Sequence, residues 1–533
     1  MRALFTAVVL GLLGGTGALR GAAPESFAGV DGKWHRYESP HFELYSHNGQ
    51  ALSRQLLHNL EFLRTVFLDT LSLKEIRPLG VTIYYFGSES EFQAYLSPLL
   101  RLNKNVAGYY FSRADRAMIV LPPPREPSEA MRSMSHLAAP KDEQQMQRSI
   151  LHEYIHHLTY ITGDTPALWY GEGVAELFST IKEERDGFVL GLPVENHVEY
   201  LRWTQFNGWM PLDELFATDH TSANYHEALR AGFFYAESWA LLHFWLFGHS
   251  EFSTDQLATF IDYCRQDGGK PNAAERRRIF QAATGLDYKA MEEKLRSYVN
   301  NGKYGWRKLP LPKMPAKDSY AMREVYRDEI QEQLTELDYR INHGLKSKLA
   351  LVAAADRDPG NPRRNEVLGA EALLVGDEAE ARERWLKALD AGTNNSAVFH
   401  SLAVLENKHW LGEFDPIYFR LPEETGDYLR KLLSRSIQSA PDQVEAYQML
   451  AWVEAMSDQP HLDNVNLVQH HYATLQQRTR TALALALVRV RVHDEAGARE
   501  ILDQLEQTKP GEEHERTICV IRKYLDEQHR ANP

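Results

Sequence analysis

Cysteine is almost missing from this chain: of 533 residues only Cys264 and Cys519 carry a thiol. Two thiols so far apart exclude a disulfide framework and a cysteine-built metal site, so any metal must be held by histidine and carboxylate. Both read as small buried hydrophobes rather than reactive groups. A positive charge excess is missing too. Lys and Arg total 59 against 73 Asp and Glu, for a net charge of −14, and no lysine-rich block interrupts this. The electrostatic footprint of a nucleic-acid binder is therefore lacking. Low-complexity runs are absent, and the composition, 43% hydrophobic and 25% charged, is that of a folded chain rather than a disordered one. At this length two or three domains are expected.

Long apolar runs are lacking beyond the N-terminus. Met1-Arg2 is followed by the apolar stretch Ala3–Leu13 and then mostly small residues up to Ala23-Pro24. This is the pattern of a signal peptide over residues 1–23, with cleavage after Ala18 or Ala23; an uncleaved anchor is the alternative. No cysteine follows the apolar run, so a bacterial lipoprotein anchor is not supported. No later stretch approaches ~18 consecutive apolar residues. The mature protein is thus expected to be exported, periplasmic or secreted, with no membrane span after cleavage.

What is present divides into two halves. Phe42–Ser46 alternates like a half-buried strand, and Val81–Phe86 is a β-branched and aromatic run. Between them Leu52, Leu56, Leu60, Leu63 and Phe67 recur at helical spacing. Ser88 or Ser90 can cap a short helix to Leu96. Gly108–Phe111 and Ala117–Leu121 read as a hairpin. Pro122–Lys141 reads as a surface loop, either a lid or a variable insertion. Helices are expected over Gln144–Tyr160, Leu168–Ile181, Tyr225–Phe247, Ser253–Asp267, Pro271–Thr284 and Asp287–Asn300. Gly302–Pro315, with three prolines and no period, suggests a linker spanning 302–317 between a domain over 24–301 and an all-helical one over 318–533. In that second half, helix, Gly376-Asp377 turn, helix, then Pro441-Asp442 or Pro359-Gly360-Asn361, resemble tetratricopeptide units of about 34 residues.

Residues 151–178, LHEYIHHLTYITGDTPALWYGEGVAELF, carry the chemistry. His152 and His156 are four apart, only about 40° out of line on a helix, so they can share one metal ion. Glu153, beside a ligand, can reach a water without ligating. Two imidazoles and a carboxylate suit one Zn2+ per chain at ~2.0–2.2 Å with a position left for water. Glu172 is the best third ligand, and Asp164 a weaker one. Glu176, one turn beyond Glu172, is placed to accept the free N–H of a ligand histidine. His157 points about 100° from His156 and reads as structural or solvent-facing.

HEYIH followed by PALWYGEGVAELF resembles the gluzincin zinc metallopeptidases, and more closely the bacterial peptidase MA-like family. The resemblance runs from Ser39-Pro40-His41-Phe42 to Gly285-Leu286-Asp287 and includes Phe233–Ser238. It implies an α+β fold: a metallopeptidase domain with a small β-sheet and a helical lobe, here followed by the all-α repeats. It further implies His152, His156 and Glu172 as zinc ligands, Glu153 as catalytic base, Glu176 as supporting carboxylate, and Tyr235 as the group stabilising the oxyanion, with His226 and His243 behind it. The strand that anchors the substrate amine in aminopeptidases of this clan corresponds to Gly108–Leu121, which contains no Glu. That departure leans the expectation towards an endopeptidase acting on a peptide or protein, with the repeats holding substrate or a partner protein. The alternative is a non-catalytic scaffold with a vestigial metal site.

Overall fold

Alternating and fully apolar strands sort the N-terminal half into layers. A computed structural model describes residues 29–75, 77–97, 100, 106, 108–123, 141–163, 166–203, 208–222, 228–248, 254–264, 272–408, 415, 417–472, 478–507 and 512–531. The fold is of mixed α+β type and divides into two units. The first comprises residues up to Lys74, Gly80–Ser112 and Ala117–Gly344; the second comprises Glu75–Leu79, Arg113–Arg116 and Leu345 onward. The expected signal peptide and the stretch from 124 to 140 lie outside the described residues. Among the described residues no helix is long and apolar enough to cross a membrane.

In the first unit β1 (His35–Glu38), β2 (Phe42–Ser46), α1 (Gln50–Leu71), β3 (Val81–Tyr85), α2 (Glu89–Ala94), β4 (Tyr109–Ser112) and β5 (Ala117–Leu121) follow one another. With a late strand, β9 (Ala321–Glu324), the sheet order is β4-β5-β3-β2-β1-β9, with β2/β3 and β3/β5 parallel and the other pairs antiparallel. Central β3 is buried at all five positions, as a strand covered on both faces must be. Tyr45 and Tyr84 stack on one face at 5.8 Å. Phe42, on the other, meets Tyr154 of the motif helix at 5.1 Å. Ser88 caps α2 by accepting from the Glu91 N–H. In α1 the expected Leu60, Leu63 and Phe67 are buried together with Leu57, Leu56 is half-buried, and only Leu52 at the N-terminal end of the stripe is exposed.

The helical lobe begins with α3 (Lys141–Ile161), whose face of Ile150, Leu151, Tyr154, Ile155 and Leu158 is buried as expected. Gly163, at φ +66°, ends it in the left-handed conformation that glycine adopts without strain. Then come α4 (Leu168–Ser179), the hairpin β6 (Lys182–Glu184) and β7 (Gly187–Leu190), and α5 (Glu195–Trp203). They are followed by α6 (Leu212–Ala217), α7 (Ala228–His243), α8 (Thr254–Cys264), α9 (Ala273–Thr284) and α10 (Tyr288–Asn301). Their core is aromatic: Trp169 is fully buried against Phe216, Trp245 and Phe260.

The proposed linker at 302–317 is corrected. β8 (Arg307–Leu309) pairs with β7 to complete a three-stranded sheet, and β9 (Ala321–Glu324) pairs with β1 at the edge of the large one. Behind them α11 (Arg327–Asn342) gives Ile330, Leu334 and Leu337 to the core under that sheet. Prolines between short edge strands mimic a linker in sequence, since neither pattern has a period. The first unit therefore runs to Gly344.

The second unit is built of helices: α12 (Leu345–Arg357), α13 (Arg363–Leu374), α14 (Glu378–Asp390), α15 (Ser396–Lys408) and α16 (Glu423–Ser439), then α17 (Val444–Ala455), α18 (Leu462–His471), α19 (Arg478–Arg491), α20 (Glu495–Gln507) and α21 (Glu512–Ala531). The Asp377 side chain caps α14 at the expected turn, accepting from the Glu380 N–H at 3.0 Å. Ala381, Trp385 and Ala388 on α14 are completely buried. Cys519 is exposed and Cys264 half-buried, so burial of both thiols is not what the fold does.

Candidate metal centre

Two helices and one glycine bring the motif residues together. His152, Glu153 and His156 lie on α3, and Glu172 and Glu176 lie on α4. His156 Nε2 lies 3.1 Å from His152 Nε2 and 3.1 Å from Glu172 Oε2, and His152 Nε2 lies 3.2 Å from the same oxygen. Three donors at near-equal spacing form one face of a coordination shell. A tetrahedral ion with ligand bonds of about 2.0–2.1 Å holds its donors ~3.3–3.4 Å apart, so small adjustments would seat zinc here. The donor set, two imidazoles and a carboxylate, is also one that zinc prefers. Among the described residues His152, His156 and Glu172 are the group able to hold a metal ion. Asp164, the weaker candidate, lies outside the described residues.

The electrostatics are those of a buried cluster. Burial would raise the Glu172 carboxyl, but the charges of His156 and His152 and their hydrogen bonds hold it down at about 2. Against the opposing effect of burial, Glu176 and Glu172 raise His152 well above the ordinary imidazole range. Glu153 is the exception. Burial pushes its carboxyl up, and among the described residues neither of its oxygens has a hydrogen-bond partner. It lines a small cavity with Gly108, Tyr110, Ser149 and Ile150.

Around this core, Glu176 Oε1 sits 3.4 Å from His152 Nδ1, on the side of the ring away from the ligand nitrogen. Tyr235, on α7, sets its ring edge-on to His152 with centroids 6.0 Å apart. α7 can come this near because α4 carries Gly173: a Cβ there would lie 2.7 Å from the Ser238 carbonyl oxygen. His243 is not part of the site. Its Nε2–H donates to the Gly191 carbonyl and its Nδ1 contacts the Tyr298 hydroxyl, each at 2.8 Å. His226 lies outside the described residues.

His157 is structural, and not solvent-facing. It is buried, it stacks on Tyr154, and its Nδ1 shares a hydrogen bond with the Tyr110 hydroxyl at 3.0 Å, tying α3 to edge strand β4. Two further neighbours of the cluster belong to no motif. Arg148 donates to Glu176 Oε2 at 3.1 Å, and His197 Nε2 lies 3.1 Å from that oxygen. Arg148 was accessible from spacing, since it precedes His152 by one helical turn. His197 reaches the site from α5, and no local pattern announces it.

Set against known proteins, no family model matches the chain, and no curated protein matches it. The case for function therefore stands on the cluster itself.

Proposed function

We propose that the chain is an exported, zinc-dependent metallopeptidase of gluzincin type that hydrolyses peptide bonds within peptides or proteins. One observation carries the reading: three ligand atoms converge at 3.1–3.2 Å beside a buried glutamate whose oxygens have no hydrogen-bond partner among the described residues. A buried carboxylate without partners is costly, and such groups are kept where chemistry needs them. His152, His156 and Glu172 would hold zinc, which supplies the Lewis acidity that makes a water nucleophilic near neutral pH. Glu153 takes a proton from the attacking water and returns it to the departing amine nitrogen. A carboxyl raised by burial suits both halves of that transfer. Tyr235 donates its hydroxyl proton in a hydrogen bond to the oxygen on which negative charge develops. Glu176 holds His152 in the tautomer whose Nε2 is free to ligate.

Export is supported by Met1-Arg2 and the apolar run Ala3–Leu13. The second unit, resembling tetratricopeptide hairpins, would hold the substrate or a protein partner. Digestion of a peptide library tests the reading, using wild type and Glu153→Gln with and without chelator. Cleavage that disappears both with chelator and in Glu153→Gln is the expected result. If no peptide is cut in a Glu153-dependent way, the enzyme reading fails and a scaffold with a vestigial site remains.

A further inference from the structure

Glu176 is a junction of three elements. Its Oε1 faces His152 Nδ1 on α3 at 3.4 Å, near the outer limit of a hydrogen bond. Its Oε2 accepts from the Arg148 guanidinium, also on α3, and stands 3.1 Å from His197 Nε2 on α5, a close charge contact rather than an aligned hydrogen bond. The terminal torsion of a glutamate is broad, so a single long contact would leave the carboxylate free to turn. Two contacts converging on Oε2 remove that freedom and leave Oε1 aimed at the imidazole. His197 is itself set against Trp239, with ring centroids 6.2 Å apart, and Trp239 is completely buried. The chain of contact therefore runs from the aromatic core through His197 and Glu176 to the ring of His152.

We propose that Arg148 and His197 are positioning residues of the metal centre, acting through Glu176 to fix the orientation of the His152 ring. The inference rests on the metal-site reading above. It assigns a function to two residues that touch neither the metal position nor the substrate. Metal affinity depends strongly on such outer contacts, because an imidazole that can rotate loses part of its ligand strength.

The test uses the full chain in four variants: Arg148→Met, Arg148→Lys, His197→Phe and His197→Gln. Zinc affinity is measured by competition with a chromogenic chelator. The visible absorption of the cobalt(II)-loaded protein reports ligand geometry, and the Tm of the metal-free protein reports folding. Arg148→Met and His197→Phe are expected to weaken zinc binding by about tenfold each and to alter the cobalt bands. Arg148→Lys and His197→Gln, which keep a donor near Oε2, are expected to recover most of that loss. Zinc affinity and cobalt bands like those of wild type in both disruptive variants would overturn the proposal. So would a loss that follows only a lowered metal-free Tm and is not recovered by the conservative variants. If wild type itself binds no zinc, the metal-site reading falls and takes this inference with it; the two failures are thus told apart by the wild-type measurement.

Discussion

Each unit buries a charged cluster, and the two are finished differently. In the helical unit Arg430 on α16 donates from Nε and Nη2 to the two oxygens of Glu454 on α17, at 2.9 and 3.0 Å. The remaining capacity of Glu454 is filled by the His461 N–H and by Asn464. Nothing is left over; the pair is closed. In the first unit Glu153, Glu172 and Glu176 crowd into two helices, with Glu153 unpartnered among the described residues. On the proposed function, the contrast separates a polar group used for architecture from one kept at a cost for chemistry. Closure satisfies every lone pair, whereas a site must leave something for a ligand to complete.

The sharpest way to break the comparison is to neutralise one carboxylate in each unit. Glu153→Gln should lower peptide hydrolysis by about 10²–10⁴, the usual range for a lost general base. It should also raise the Tm of the metal-free protein, because a neutral amide is less penalised by burial than an unpaired carboxylate. Arg430→Met should do the opposite. It strands Glu454 in the core and should destabilise the helical unit by about 3–5 kcal/mol in urea unfolding, while Arg430→Met with Glu454→Leu recovers most of the loss. If Glu153→Gln lowers Tm as Arg430→Met does, the open-versus-closed distinction is wrong.

Much of this was legible in the sequence, and for identifiable reasons. The strands β2 and β3, the hairpin β4/β5 and the faces of α3 follow from local periodicity, which depends on nothing distant. His152, His156 and Glu172 were readable because helical geometry fixes the first pair and a single turn limits where the second helix can go. What periodicity cannot carry is pairing between remote segments. β8 looked like linker and β9 like the start of the helical domain, because a largely exposed edge strand of three or four residues has no signature of its own. His197 reaches Glu176 only through the packing of α5, and both nitrogens of His243 are engaged by Gly191 and Tyr298, partners no motif announces.

A smaller effect probes how the open site is held. Gly173→Ala places a methyl against the Ser238 carbonyl, so α7 must move away from α4. Overpacking of this kind costs about 1–3 kcal/mol. Because Tyr235 rides on α7, the variant should lose more in kcat than in zinc affinity, which depends on α3 and α4. Equal losses in both would mean that Tyr235 contributes nothing at the reacting oxygen.

A pH-dependent effect concerns a closed polar group inside the first unit, His243. Burial pushes its imidazole down to about 4, only partly offset by the Gly191 carbonyl. With a folded value below the unfolded one of about 6.5, the neutral ring contributes stability that is complete above pH 6.5. That stability is lost as the pH falls towards 4, because the unfolded chain binds a proton the folded chain refuses. The expected slope is about 1.4 kcal/mol per pH unit from this one residue. His243→Gln removes the proton site. Its metal-free protein should be less stable than wild type at pH 7, having lost the fitted contacts to Tyr298 and Gly191. The difference should shrink steadily as unfolding is measured from pH 6.5 down to 4. A difference that stays constant over that range would show that His243 titrates alike in both states, and that burial does not hold it neutral.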